Sequence, residues 1–185
     1  MMTQAKLEDK EIVIDILVNS FRDNMSVNYI IKQDEKRLFR IRKLMEYSFD
    51  VCLLFGSVLL SEDKKGCALV LFPHRRKTSI KAILLDVKLV FYCCGIMNVS
   101  KALKRESKIK ALHPKKPFKH LWFIGVQPGE QNKGIGSAIL KHVINDDSPV
   151  YLETSTLKNI PWYKKFGFEI YSELDLGYTL YLLKK

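Results

Sequence analysis

The chain has 185 residues, 47% hydrophobic and 28% charged, with 9 Gly and 6 Pro, which is the make-up of one ordinary globular domain and excludes collagen-like, low-complexity and disordered chains. A chain of this length buries about two-thirds of its unfolded surface, so folding requires neither disulfides nor metal. The formal net charge of +11 speaks to partners and solubility, not to fold.

Taken in order, residues 1–11 are polar and partly acidic, unlike a signal peptide. Val13, Ile16, Leu17 and Phe21 then share a face at helical spacing, which predicts a helix over 11–21, with a strand as the alternative because of the density of β-branched residues. Leu38, Ile41, Met45, Phe49 and Cys52 step by three or four and predict a second helix, with Arg37, Arg40 and Lys43 outward and an end near Gly56. The apolar runs Ser57–Leu60 and Gly66–Phe72, parted by Glu62, Asp63, Lys64 and Lys65, read as a hairpin that Pro73 stops. Ile80, Ile83, Leu84, Val87, Phe91 and Cys94 predict a helix over 79–94, and residues 97–112 a second, basic one, ended by His113-Pro114 and Pro117. The longest apolar stretch, 82–97, is broken by Asp86 and Lys88, so no membrane span is expected. The run from Lys101 to Lys119, opposed by one acid, Glu106, reads first as a solvated face and second as a phosphate or nucleic-acid contact.

The last third alternates. His120–Val126 reads as a strand, Lys133–Asn145 as a helix, Val150–Thr154 as a strand, Ile160–Phe166 as a short helix, and Phe168–Leu174 and Tyr178–Leu183 as closing strands. That alternation implies an α/β sandwich with a partly parallel centre, as a single domain. Cys52, Cys67, Cys93 and Cys94 show no metal or disulfide spacing and read as reduced, mostly core residues of a cytoplasmic protein. His74, His113 and His142 have no metal-ligand spacing with Cys, Asp or Glu, and no metal is expected.

Chemistry concentrates after the strand ending at Val126. Gly134 and Gly136 at a strand-to-helix turn let backbone N–H groups converge on an anion at the positive end of a helix. The lysine precedes the glycines, so this is no P-loop, and Ile139 stands where a dinucleotide fingerprint needs a third glycine or alanine. What remains, Gln131-Asn132-Lys133-Gly134-Ile135-Gly136, resembles the acetyl-CoA pyrophosphate loop of the GCN5-related N-acetyltransferases (GNAT). Asn159-Ile-Pro-Trp-Tyr163 followed by Gly167-Phe168 is similar to the second cofactor segment of that family. LHPKKP at Leu112, WFIGV at Trp122, the GIGSA of the loop and LETS at Leu152 further resemble puromycin N-acetyltransferase-like members, over residues 110–172.

The resemblance implies a GNAT fold: a central mixed, twisted sheet flanked by helices, with residues 79–112 a helical insert that forms acceptor pocket or lid. It implies acetyl-CoA as cosubstrate, bound by Gln131, Asn132, Lys133, Gly134, Ile135, Gly136 and Ser137. Gly125 corresponds to the family's β-bulge, with Ile124 and Val126 offering backbone groups to pantetheine. Tyr163 corresponds to the general acid that protonates the CoA thiolate, and Asn159, one turn earlier, to a pantetheine contact. Two residues are candidates for the base: Glu153, expected to be buried with a raised pKa, and His120 on the Trp122 face. The implied reaction is direct attack of a small-molecule primary amine on acetyl-CoA in a ternary complex, by a monomer or homodimer. Acceptors at protein N-termini or lysines, a non-catalytic acyl-CoA-binding module and a nucleic-acid-binding domain are the alternatives, the last disfavoured because the basic run lacks interleaved aromatics.

Overall fold

Periods of 3.6 and 2 along the chain resolve into seven helices and seven strands in a computed structural model that describes residues 2–185, the side chains of residues 96 and 97 excepted. Met1, the first residue of the polar N-terminal stretch, and the side chain of Met97 lie outside the described residues. The elements are β1 (Met2–Gln4), α1 (Lys10–Phe21), α2 (Met25–Ile30), α3 (Arg37–Phe55), β2 (Gly56–Ser61), β3 (Gly66–Leu71), α4 (Ile80–Leu89), α5 (Ile96–Leu112), β4 (Lys119–Val126), α6 (Ile135–Val143), β5 (Val150–Thr154), α7 (Ile160–Lys165), β6 (Glu169–Asp175) and β7 (Thr179–Lys184). The strands form one sheet in the order β1-β2-β3-β4-β5-β7-β6. Only β4 and β5 run parallel, so the sheet is mixed, as the alternation of elements implied.

Helices cover both faces. On one, α1 and α3 bury Val13, Ile14, Leu17, Ile41, Met45 and Phe49 against Leu69 and Phe123. On the other, α6 buries Ile139, Leu140 and Val143 with Leu152, Tyr163 and Phe168. β4 has a bulge: its register against β3 passes from Phe123↔Leu69 to Leu121↔Val70, leaving Trp122 as the extra residue. Trp122 and Phe123 therefore both pack on the α1 face, while Leu121 and Ile124 pack on the α6 face. The bulge lies three residues before Gly125, where the sequence placed it. Gly125 instead permits close approach of α1, since a Cβ there would lie 2.8 Å from Ser20 Oγ.

Three other expectations change. Ile80, Ile83, Leu84, Val87 and Phe91, which fall at helical spacing, are exposed, and α4 buries Ala82 and packs Leu85 and Leu89 inward. Helical period alone does not choose the inward face, because Ala82, Leu85 and Leu89 form a second apolar face. The helix ends in a wide turn over 90–94 that carries Cys93 and Cys94 into the core. Arg40 is not a solvated residue: its guanidinium forks onto Asp34, Nη2 to Oδ2 at 2.6 Å and Nε to Oδ1 at 2.9 Å. β1 and α2 had no predicted counterpart. α2 is six residues long, and its start is set by Asn24, whose Oδ1 accepts from the Val27 N–H at 3.1 Å.

All four cysteines are buried thiols. Among the described residues no single helix is long and apolar enough to cross a membrane.

Candidate active site

β4 and β5 pair only at Lys119↔Val150 and His120↔Tyr151, although β4 continues to Val126 and β5 to Thr154. Beyond those pairs the strands part, and a gap opens in the centre of the sheet. Gln127 N–H donates to Lys65 O at 2.8 Å, which puts Gly125 and Cys67 in hydrogen-bonded register. In an antiparallel ladder the alternate residues, Ile124 and Val126, then turn their backbone groups toward the gap. The Val126 carbonyl is occupied by the Ser20 hydroxyl at 3.2 Å, so the Ile124 groups and the Val126 N–H are what β4 offers there.

At the end of β4 lies the glycine loop. Gly134 caps α6 with φ +86°, a left-handed conformation suited to glycine, and a Cβ there would meet nothing within 4 Å. The first helical bond runs from Ala138 N–H to Gly134 O at 2.9 Å, so the N–H groups of Ile135, Gly136 and Ser137 belong to the unsatisfied first turn. Asn132, φ +63°, bends the preceding backbone, beside Gln131. Lys133 Nζ is held by Glu130 at 3.0 Å, and Glu130 also pairs Lys65 at 3.2 Å, which ties the loop to the β2–β3 hairpin. Trp162 of α7 donates its indole N–H to Ser137 Oγ at 3.2 Å and thereby joins the two segments singled out in the sequence.

Tyr163 and Asn159 stand on this side of the sheet. Asn159 precedes α7 and is half-buried, whereas the Tyr163 ring is buried among Trp162, Phe168, Ile139 and Leu140. Burial pushes the Tyr163 phenol above its ordinary pKa, so its proton is held more tightly than in water.

On the opposite face, Glu153 bonds two imidazoles: Oε1 lies 2.8 Å from His113 Nε2 and Oε2 lies 2.7 Å from His120 Nε2. The three side chains are 9–12% exposed. Burial pushes the Glu153 carboxyl up, but the charge of His120 and the hydrogen bonds from His113 and His120 outweigh it, and the group is held well below the usual carboxylate range. This reverses the raised pKa expected from the sequence, which had no imidazole beside the carboxyl. His120 shows the mirror effect: burial lowers its pKa, and the Glu153 carboxylate more than restores it, to above 6.5. Ring contacts fix the cluster, His113 against Phe118 at 5.0 Å and His120 stacked on Trp122 at 6.4 Å.

His113 and Tyr171 were not recognised as site residues. His113 follows α5, 40 residues before Glu153, and only the packing of the insert against β5 brings them together. Tyr171 is the extra residue of a bulge between β6 and β7, which aims its ring at Tyr151, 5.4 Å away, and leaves its buried hydroxyl without a partner. No sequence pattern signals either contact. The donor atoms of His113, His120 and Glu153 lie within 4.8 Å of one another, a set with the chemistry for a divalent cation, so the absence of a metal-ligand spacing in the sequence did not exclude such a cluster.

Residues 90–170 match the family model for the acetyltransferase (GNAT) domain. The Schizosaccharomyces pombe protein described as uncharacterized N-acetyltransferase C550.08 is 26% identical over 168 aligned positions, which cover 82% of this chain and 67% of that protein. Among solved structures, a Corynebacterium glutamicum protein described as histone acetyltransferase HPA2 and related acetyltransferase superposes with a TM-score of 0.71 at 18% identity, over 100% of this chain and 94% of that one. Arylalkylamine N-acetyltransferase 2 of Aedes aegypti superposes with a TM-score of 0.65 at 14% identity, over 100% and 97%. Residues 90–170 are thus similar to a GNAT acetyltransferase domain, and the whole chain, with its parted central strands and glycine loop, shares the fold of these solved acetyltransferases.

Proposed function

We propose that the protein transfers the acetyl group of acetyl-CoA to a primary amine of a small molecule by direct attack in a ternary complex. The observation that carries this reading is the His113–Glu153–His120 cluster beside the gap between β4 and β5, opposite the glycine loop. The cofactor enters from the α6 side: its pyrophosphate lies on the amides of residues 131–137, and its pantetheine pairs with the backbone of Ile124 and Val126 along the gap. Asn159 reaches the pantetheine from the start of α7. The amine approaches from the other face, where the cluster lies.

An amine must lose a proton to attack. In this mechanism His120 accepts it, directly or through one water, and Glu153 remains anionic and stabilises the imidazolium, with His113 fixing the carboxylate from its other oxygen. This divides the sequence-level choice between Glu153 and His120 into an acceptor and its orienting partner. The new C–N bond forms as the thioester C–S bond breaks, and amides freed by the parted strands stabilise the oxyanion. Tyr163 hands its proton to the departing thiolate. Its buried phenol is the weaker acid, so placement rather than a lowered pKa must drive that transfer. A small-amine acceptor is supported by the likeness to an arylalkylamine N-acetyltransferase.

Calorimetric titration with acetyl-CoA and steady-state turnover on an amine panel, for wild type and Tyr163→Phe, test the reading. The expected outcome is one-site acetyl-CoA binding unchanged by the substitution and a kcat lower by about 100-fold or more. Unchanged turnover in Tyr163→Phe removes it from the acid role, and acetyl-CoA binding with no amine acetylated favours a non-catalytic acyl-CoA-binding module.

A further inference from the structure

Lys101, Lys104, Arg105 and Lys108 of α5 step by three or four and share one helical face. That face does not simply meet solvent: with Tyr29 of α2 and the turn between β6 and β7 it lines a cavity of about 360 Å³, the size of a small-ligand site. The aromatics missing from the basic run are supplied by other elements. Lys101 Nζ lies 3.9 Å from the centre of the Tyr29 ring, and Arg105 donates to the Tyr178 hydroxyl at 3.4 Å and to Ser26 Oγ at 2.7 Å. Among the described residues none of the four basic groups is in an ion pair, and the one acid of α5, Glu106, is turned to Lys110 at 3.5 Å. Basic groups converging on a concave surface without a carboxylate repel one another and focus a positive potential, which an anion relieves.

Hydrogen bonds link the cavity wall to the segment that follows Glu153. Ser26, which Arg105 holds, donates its backbone N–H to Ser155 Oγ at 3.3 Å, and Ser155 lies two residues beyond Glu153. The charges of Arg105 and Glu106 both reach His120.

We infer that the acceptor amine carries a phosphate group, seated in this cavity by Lys101, Lys104, Arg105 and Lys108 while its amino group faces the His113–Glu153–His120 cluster; the inference rests on the acetyl transfer proposed above. A phosphate dianion fits better than a carboxylate, because its three oxygens accept from several cations at once and its charge offsets more of theirs. Arg105, held by Ser26 and Tyr178, is already placed for it, and the lysines act as mobile point charges around it.

The test titrates 2-aminoethyl phosphate, glucosamine 6-phosphate and inorganic phosphate, against ethanolamine and glucosamine, into wild type and a Lys104→Ser/Lys108→Ser variant. Both lysines are exposed, so the variant keeps the fold, which its acetyl-CoA binding checks. The expected result is at least about tenfold tighter binding of each phosphorylated probe than of its unphosphorylated partner, an advantage lost in the variant. Equal affinity within both matched pairs, or an advantage that survives the double substitution, overturns the inference. Salt-sensitive binding of an RNA oligomer that the variant abolishes, with no preference among the small probes, also overturns it, in favour of a polyanion. Phosphate-dependent binding without acetylation of any amine instead sinks the acetyl-transfer reading and the acceptor assignment with it, while the anion site stands.

Discussion

His120 and Glu153 set each other's protonation, and this fixes the expected pH response. The His120 pKa is raised above 6.5, so the unprotonated acceptor form appears only above that value, and the acidic limb of kcat/KM should lie on the alkaline side of pH 6.5. Glu153→Gln removes what raises the pKa and leaves the burial that lowers it, so the limb should move to lower pH while the rate falls. A limb that stays in place uncouples the two residues. Stability should follow the same pair. The contribution of His120 is fully present below 6.5 and fades as pH rises through its folded pKa; that of Glu153 is present above 4.5 and fades as pH falls toward its lowered value. The Tm penalty of Glu153→Gln should therefore be greatest between pH 4.5 and 6.5, which a thermal-melt series would reveal.

Among the elements, the contact of α1 with β4 and the two faces of α4 make opposite claims about tolerance. Gly125→Ala would place a Cβ 2.8 Å from Ser20 Oγ and 3.3 Å from Leu17 Cδ2, forcing α1 off the strand that borders the gap. Overpacking of this kind costs about 1–3 kcal/mol, and α1 also holds the Val126 carbonyl through Ser20. Acetyl-CoA affinity should accordingly fall together with chemical-denaturation stability. On α4, by contrast, Ile83→Glu and Leu84→Glu alter side chains 51% and 55% exposed and should leave the denaturation midpoint nearly unchanged. A large loss of stability there would mean that this face is covered in solution.

At the scale of the molecule, the imidazole–carboxylate cluster can be read as a proton relay or as a ligand set, and removal of metal separates the two. Each Nε2 already has its own Glu153 oxygen, 2.7 or 2.8 Å away, so the cluster is satisfied as it stands. Acetylation should survive dialysis against EDTA with kcat unchanged, and added zinc should slow it by competing for the same atoms. Loss of activity on chelation with recovery on zinc addition would overturn the relay.

How much of this could be read along the chain depended on how local each cause is. Helices α1 and α3, the β2–β3 hairpin and β5 follow from side-chain period and from Gly56 and Pro73, and the glycine loop from residues adjacent in sequence; these were legible because contacts within a few residues decide them. The bulge at Trp122 and the face α4 buries depend on the neighbouring strand and helix, so the family resemblance put the first at Gly125 and spacing could not choose the second. β1, three residues long, forms only by pairing with β2, and Tyr171 is aimed by a bulge against β7. Sequence alone determined the alternation of strands and helices and the glycine turn before α6, and with the family resemblance it named Tyr163, Glu153 and His120 as candidates. Only tertiary structure decided that His113 closes on Glu153, that the carboxyl is held ionised and not protonated, and that a basic helix walls a cavity. A pKa or a cavity arises from groups far apart in the chain that burial brings within a few ångströms, where water no longer screens one from the other.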